Sequence, residues 1–400
     1  MRTPRPIKEI NSWRAVDPKL MLDKLERLKK NRSPLNAGAR WVFRTTFSPV
    51  DLYVYLKARF GAPNGMQMIF KSPTSDNLVH WHWTIQMGNR VMDFMGFNMH
   101  AEVSIEGYKK LSIAQGIAFE DGLKDDFKNY GKEMSEVRRQ LEKWNIFVNP
   151  YRRIHKVIED FATRLRNLSL QDVELPQQPT TSEELQQFKP KFEECAKIYR
   201  EALGLSTSIR MLAPVLAEAF INLTIFLLAK PEIKKDSRIY QDILRREIDV
   251  RVKSLHINCV GFKNAVSSDT DQFRNFHTLM NGRNDFLHGN IDPTRLAYEV
   301  IYFDANIPLP KTYKNFSELA LVNSLIHVEP EKALNDLKIV EEFVQFVLAQ
   351  LKDDTANMVR MFMQTIDPGW REDTMRAGIL FPPYTIHAVF GPEKEKPTGQ

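Results

Sequence analysis

Along residues 79–87 apolar and polar side chains alternate. Val79, Trp81, Trp83, Ile85 and Met87 share one side, and His80, His82, Thr84 and Gln86 share the other. A period of two is that of a strand with one face on a core. Gly88-Asn89 then fits a two-residue hairpin turn into a second strand over 90–97. Trp41 to Phe47 and Gly65 to Phe70 read as further strands, and Pro49 to Phe60 as a short helix. An irregular arm over 1–17 leads into a charged helix that opens at Asp17-Pro18 and runs to Lys30, with proline suited to the first turn. Residues 1–107 are therefore expected to form an α+β module.

Beyond residue 107 the period changes. Phe127, Tyr130, Met134, Val137, Leu141 and Trp144 recur every three or four positions, a helical stripe close to a heptad. Asn149-Pro150 interrupts it, and Ile154, Ile158, Phe161, Leu165 and Leu168 make a second stripe. Two long helices over 108–168 are expected, compatible with packing inside the chain or with a dimer seam. Residues 169–184 contain Pro-Gln-Gln-Pro-Thr-Thr-Ser and read as a linker. Helical periodicity then returns near 184–203, 206–229, 236–257, 270–288 and 330–352, so 185–352 is expected to be a helical domain. Tyr298 to Phe303 suggests a strand-like insertion, and 353–400 reads as a C-terminal extension ending in a polar tail. The expected fold class is mostly α with an N-terminal α+β module.

Composition narrows the function classes only a little. Hydrophobic residues make up 43% and charged residues 26% of 400, ordinary values for a soluble globular protein. A formal charge of +6 favours anionic partners without naming them. Two cysteines, Cys195 and Cys259, offer neither a zinc pattern nor a disulfide framework. The apolar run from Met211 to Ala229 is about long enough to span a bilayer, but it contains Pro214, Glu218 and Asn222 and reads better as a buried core helix. No membrane association and a cytoplasmic location are expected. Walker A, dinucleotide-glycine, Gly-x-Ser-x-Gly and His-Glu-x-x-His motifs are not found.

The candidate chemistry lies in Arg283-Asn284-Asp285-Phe286-Leu287-His288-Gly289-Asn290. Arginine offers a planar, permanently charged fork for phosphate, and histidine moves protons near neutral pH. The spacing alone decides little, because Arg251 and His256 repeat it. Context separates the two pairs. Arg251 lies within a continuing basic helix, whereas His288 is followed by Gly289, a favourable residue just past a helix end. Five residues along a helix turn through roughly 140° and rise about 7.5 Å. Arg283 and His288 are thus expected to border a cleft rather than to stack on one face, and a second copy across a two-fold axis would close that cleft.

Arg283-Asn284-x-x-x-His288, late in a four-helix region spanning roughly 205–352, resembles the signature of the HEPN superfamily. The resemblance does not extend to residues 1–184. It implies an α-helical, usually dimeric domain in which two Arg/His pairs line a shared cleft. Many such proteins are metal-independent endoribonucleases of toxin–antitoxin, abortive-infection and other antiviral systems, and others are inactive interaction modules. By this resemblance Arg283 and His288 form the catalytic pair and Asn284 is the common polar second position. The connection over 289–330 is a departure, long enough for a lid, an accessory strand or a partner surface.

Several residues are expected to support that site. Glu218 and Asn222 are four apart on the apolar helix, so they share a face, and a buried carboxylate there needs a partner, for which Arg283 is the natural candidate. Asp285 stands beside the motif. Arg245, Arg246, Arg251 and Lys253 are candidates for an RNA groove, although Glu247 and Asp249 interrupt them and a solvated helix face is the plainer alternative. His80 and His82 share a strand face, with His100 nearby, but no third ligand stands at a zinc-binding spacing, so a solvated face is expected and no metal. The expectation is a cofactor-free nuclease, a hydrolase acting on RNA as a homodimer with a possible antitoxin or trigger protein. The competing expectation is a non-catalytic module that binds nucleic acid or protein.

Overall fold

The computed structural model describes residues 8–17, 19, 40–69, 78–88, 90–97, 100–107, 112–288, 291–311 and 315–380, with the backbone alone for 284–288 and 295. The charged helix expected after Asp17 and the polar tail lie outside these residues. The fold is mostly α with an N-terminal α+β module. Two compact units divide between Lys143 and Trp144.

The first unit holds a five-stranded antiparallel sheet in the order β1-β3-β4-β5-β2. The strands are β1 (Arg14–Ala15), β2 (Arg40–Arg44), β3 (Trp81–Met87), β4 (Arg90–Gly96) and β5 (Ala101–Glu106). The hairpin is as its alternation predicts, with Met87 opposite Arg90 and Gly88 in the left-handed region at φ 54°. Trp83, Ile85, Met92, Phe94, Val103 and Ile105 are buried on one sheet face. Helix α1 (Pro49–Phe60) contributes Leu52, Tyr55 and Leu56 to the same core.

Three expectations for this unit are corrected. Residues 66–69 form a short helix, α2 (Met66–Ile69), instead of a strand. Gly65 faces the His82 ring so closely that a β-carbon there would lie 2.2 Å from Cγ, which ties this segment flat against β3. The stripe from Phe127 to Trp144 is not one long helix. It breaks at Tyr130-Gly131 between α3 (Ile113–Asn129) and α4 (Gly131–Arg139). Residues Phe119 and Leu123 of α3 are buried in the sheet core, so this segment belongs to the first unit rather than to a separate helical region.

The polar side of β3 is the third correction, because it is not solvated. His82 and Thr84 are buried together with Asp93 of β4. The Gln67 amide donates to His82 Nδ1 at 3.3 Å, so the ring hydrogen sits on Nε2 and points at Asp93 Oδ1, 3.1 Å away. Thr84 donates to the same oxygen at 2.7 Å and Arg40 to the other at 2.6 Å. Burial pushes the Asp93 carboxyl up, and the hydrogen bonds from His82, Thr84 and Arg40 more than reverse that, leaving it below the usual aspartate value. His100 instead meets Glu102, 2.8 Å away.

The second unit is built on α6 (Ser182–Leu228), a 47-residue helix that joins two segments expected to be separate and carries Pro190 and Pro214 inside it. Packed on it are α5 (Pro150–Asn167), α9 (Asp271–His288) and α10 (Pro330–Ala349), while α7 (Ser237–Arg245) and α8 (Ile248–Lys253) form a short helical return. Phe220, Phe276 and Phe343 are fully buried in this core, the last two stacked with centroids 3.8 Å apart. The apolar run of Met211 to Ala229 forms the core stretch of α6, and its most apolar window is 61% buried. Cys195 and Cys259 are buried and free.

Residues 169–184 do not link two domains. Val173 and Leu175 pack on the helical core, and Ser317 Oγ donates to the Pro176 carbonyl at 2.7 Å. Past residue 352 the chain is more ordered than expected, with α11 (Asp353–Gln364) followed by a small antiparallel sheet. That sheet is ordered β10-β9-β6, from β6 (Asn145–Ile146), β9 (Gly369–Arg371) and β10 (Arg376–Gly378). The insertion is a two-stranded hairpin, β7 (Ile301–Asp304) and β8 (Ile307–Pro310).

Candidate active site in the helical unit

Glu218 sits in the middle of the most apolar part of α6, at a point where two other helices approach. Its Oε2 accepts from Arg283 Nη1 at 2.8 Å, which is the partnership expected of a carboxylate in that helix. Its Oε1 accepts from Arg251 Nη2 at 2.5 Å. One carboxylate therefore holds two guanidiniums from α9 and α8. Asn222, one turn further along α6, turns to Arg251 and not to Arg283, accepting from Arg251 Nη1 at 2.7 Å.

The two arginines differ in access. The Arg251 side chain is 7% exposed and that of Arg283 is 26% exposed. Arg251 is thus not part of an RNA-facing surface. Its neighbours Val252 and Leu255 are buried as well. Among the described residues the Nε atoms of both arginines are buried without an acceptor. Glu218 reflects its position. Burial pushes its carboxyl up, and the hydrogen bonds and charges of Arg251, then Arg283, outweigh this and hold it below the usual glutamate value.

Arg283 lies in the last turn and a half of α9, and His288 is the final residue of that helix. The helix is continuous between them, so their backbones keep the offset of about 140° and about 7.5 Å expected of five helical residues. The side chains of Asn284, Asp285 and His288, and Gly289 altogether, lie outside the described residues.

The remaining basic candidates are on the surface. Arg246 is paired with Asp242 at 2.6 Å and Lys253 with Asp249 at 3.1 Å, each four residues apart, and Arg245 is exposed at the end of α7. These pairs are those of a solvated helix face. Among the described residues no group of three His, Cys, Asp or Glu side chains is placed to hold a metal ion.

Sequence reasoning missed the role of Arg251, which it read as the uninformative copy of the Arg/His spacing. A signal was present: Arg251 lies between the apolar residues Val250 and Val252. No protein-family model matches the chain, and neither a curated protein nor a solved structure matches it.

Proposed function

We propose that the helical unit is an endoribonuclease of HEPN type that needs no metal, acts as a cytoplasmic homodimer and serves as a toxin or antiviral effector. The observation that carries this reading is the clamp on Arg283. Glu218 fixes a guanidinium that keeps part of its surface open, on the helix whose last residue is His288. A held guanidinium is ready to bind a scissile phosphate and to stabilise the charge that develops on it, without first being ordered. RNA supplies its own nucleophile. The 2′-hydroxyl gives up its proton as its oxygen attacks phosphorus, the bond from phosphorus to the 5′-oxygen breaks, and that oxygen takes up a proton; His288 carries out one of these two transfers and water the other. The products are a 2′,3′-cyclic phosphate and a free 5′-hydroxyl, and DNA, which lacks the 2′-hydroxyl, is not cut.

A homodimer is supported by the insertion that follows α9. All four residues of β7 are exposed, and Tyr298, Tyr302 and Phe303 are each more than half exposed. Tyr302 and Phe303 follow one another in β7 and so stand on opposite faces of the hairpin, each leaving on the order of 100 Å2 of mostly apolar ring in water. A second copy that covers either face would bring a second Arg283/His288 pair with it.

The test is cleavage of labelled RNA in the presence of a chelator, with growth on expression as a second readout. His288→Ala is expected to lower the rate by roughly 10²–10⁴-fold, the usual contribution of general acid–base catalysis, with unchanged thermal stability. Folded wild-type protein that neither slows growth nor cleaves any RNA overturns the nuclease reading. The second reading, an inactive interaction module, is favoured by the depth of Arg251, since a clamp built only for structure would look the same. It predicts that His288→Ala changes nothing while Glu218→Ala unfolds the unit.

A further inference from the structure

The last turn of α6 borders an aromatic cavity of about 240 Å3. Phe226 of α6, Lys234 of the single turn Pro231–Lys235, Tyr240 of α7, and Trp370 and Met375 of the β9–β10 hairpin line it. Phe226 and Trp370 stand 5.1 Å apart between ring centroids with their planes tilted by 48°, so they form two adjoining walls. Phe147 backs Phe226 edge-on at 5.2 Å. Phe226, Tyr240, Trp370 and Lys234 are each half-buried, so packing holds them while part of each still meets solvent. An apolar cavity of roughly 150 Å3 holds a benzene ring, and drug-sized sites begin at about 300 Å3. The space here suits one ring or a fused pair with a short substituent.

The polar side-chain atoms of this lining can all donate a hydrogen bond, and none belongs to a carboxylate. Lys234 Nζ reaches back over the end of α6. It gives one hydrogen to the Leu227 carbonyl at 3.0 Å and lies 5.9 Å from the Phe226 ring centroid. An ammonium has three hydrogens, so two remain, and among the described residues no carboxylate pairs with it. Burial holds this ammonium below the usual lysine value, opposed only by Cys259. The Trp370 indole N–H and the Tyr240 hydroxyl have no hydrogen-bond partner among the described residues. Met375 is kept on the lining against its backbone preference. It ends the four-residue turn over 372–375 at φ 50°, in the left-handed region that favours glycine. Its side chain adds a polarisable thioether, which contacts aromatic rings favourably.

We infer that this cavity binds a small aromatic acid, with its ring against Phe226, Tyr240 and Trp370 and its carboxylate on Lys234. A planar ring can stack or meet edge-on with these walls. A carboxylate accepts the two spare Lys234 hydrogens and supplies the counter-charge that the protein does not. An amine would meet the same ammonium and be repelled. A nucleotide sets a ribose between its ring and its phosphate and needs more room than this space offers. The inference is independent of the nuclease reading, since none of these residues belongs to the Arg283 cluster.

The experiment is calorimetric titration of the full chain with indole-3-acetate, indole-3-ethanol, tryptamine, cyclohexylacetate and uridine monophosphate. Saturable binding of indole-3-acetate is expected, with weaker binding of indole-3-ethanol and cyclohexylacetate and none of tryptamine. Lys234→Met keeps an apolar stem, removes the charge and is expected to weaken indole-3-acetate binding at least about tenfold. Met375→Gly relieves the left-handed backbone and is expected to weaken binding without lowering the melting temperature, which separates a lost contact from a lost fold. No saturable binding of indole-3-acetate, equal or tighter binding of the alcohol, the amine or cyclohexylacetate, or unchanged affinity in Lys234→Met would each overturn the inference. Tighter binding of uridine monophosphate than of indole-3-acetate would overturn it by assigning the cavity to RNA.

Discussion

At the scale of single residues the chain concentrates its electrostatic risk at Glu218. A carboxylate in an apolar helix is costly to bury, and here two guanidiniums offset that cost. The arrangement is asymmetric, because Arg251 is the deeper of the two and also bonds Asn222, whereas Arg283 is the more open to solvent. Glu218→Ala is therefore expected to cost about 3–5 kcal/mol by stranding a buried cation, measurable by urea unfolding. The linkage to pH follows from the lowered Glu218 value. The unfolded carboxyl titrates near 4.5, so the stabilisation is fully present above that pH and is lost as pH falls through the lower folded value. Melting curves between about pH 3 and 6 should show this loss in the wild type and a smaller slope in Glu218→Gln. An identical slope in both would remove Glu218 as its source.

At the scale of elements the helical unit relies on ends as much as on middles. Asn149 is completely buried at the start of α5. Its Oδ1 accepts from the Arg152 amide, the usual work of a helix N-cap, and Pro150 follows at the first helical position. Its Nδ2 donates to the carbonyls of Phe362 at 2.7 Å and Thr365 at 2.9 Å, so the start of α5 is tied to the end of α11. Asn149→Ala removes the cap and leaves the Thr365 carbonyl without its donor, while the Phe362 carbonyl keeps the Thr365 amide, and a loss of about 2 kcal/mol is expected in chemical denaturation. Asn149→Asp keeps the cap acceptor but sets a carboxylate oxygen against those two carbonyls in a fully buried site, and is expected to be no more stable than Asn149→Ala. Helix α6 shows the opposite economy. Ala202, Leu205, Ser206 and Ile209 keep a buried stripe running past Gly204, and Pro214 is itself buried, so packing carries the helix through two prolines that would end it in isolation.

At the scale of the whole molecule the most unusual surface is the β7–β8 hairpin. An isolated two-stranded hairpin is marginal in water, and this one exposes Ile301, Tyr302, Phe303, Ile307 and Leu309. The homodimer proposed above predicts that Tyr302→Glu/Phe303→Glu yields monomers by light scattering and lowers RNA cleavage, while the helical content stays unchanged. Dimers of wild-type size in that variant would place the interface elsewhere.

The local periods of the sequence determined the hairpin of β3 and β4, helices α1 and α5, the core role of Met211 to Ala229 and the pairing of Glu218 with Arg283. Each of these follows from neighbours in sequence or from one buried charge that must find an opposite one. Tertiary structure alone decided where the units divide, because α3 and α5 look alike as amphipathic stripes and differ only in the core each one meets. It alone buried His82, Thr84 and Asp93, since strand alternation shows that residues share a face but not what covers it. It alone brought Arg251 to the carboxylate that holds Arg283, because Arg251 stands in a run of mixed charges that reads equally well as a solvated helix face.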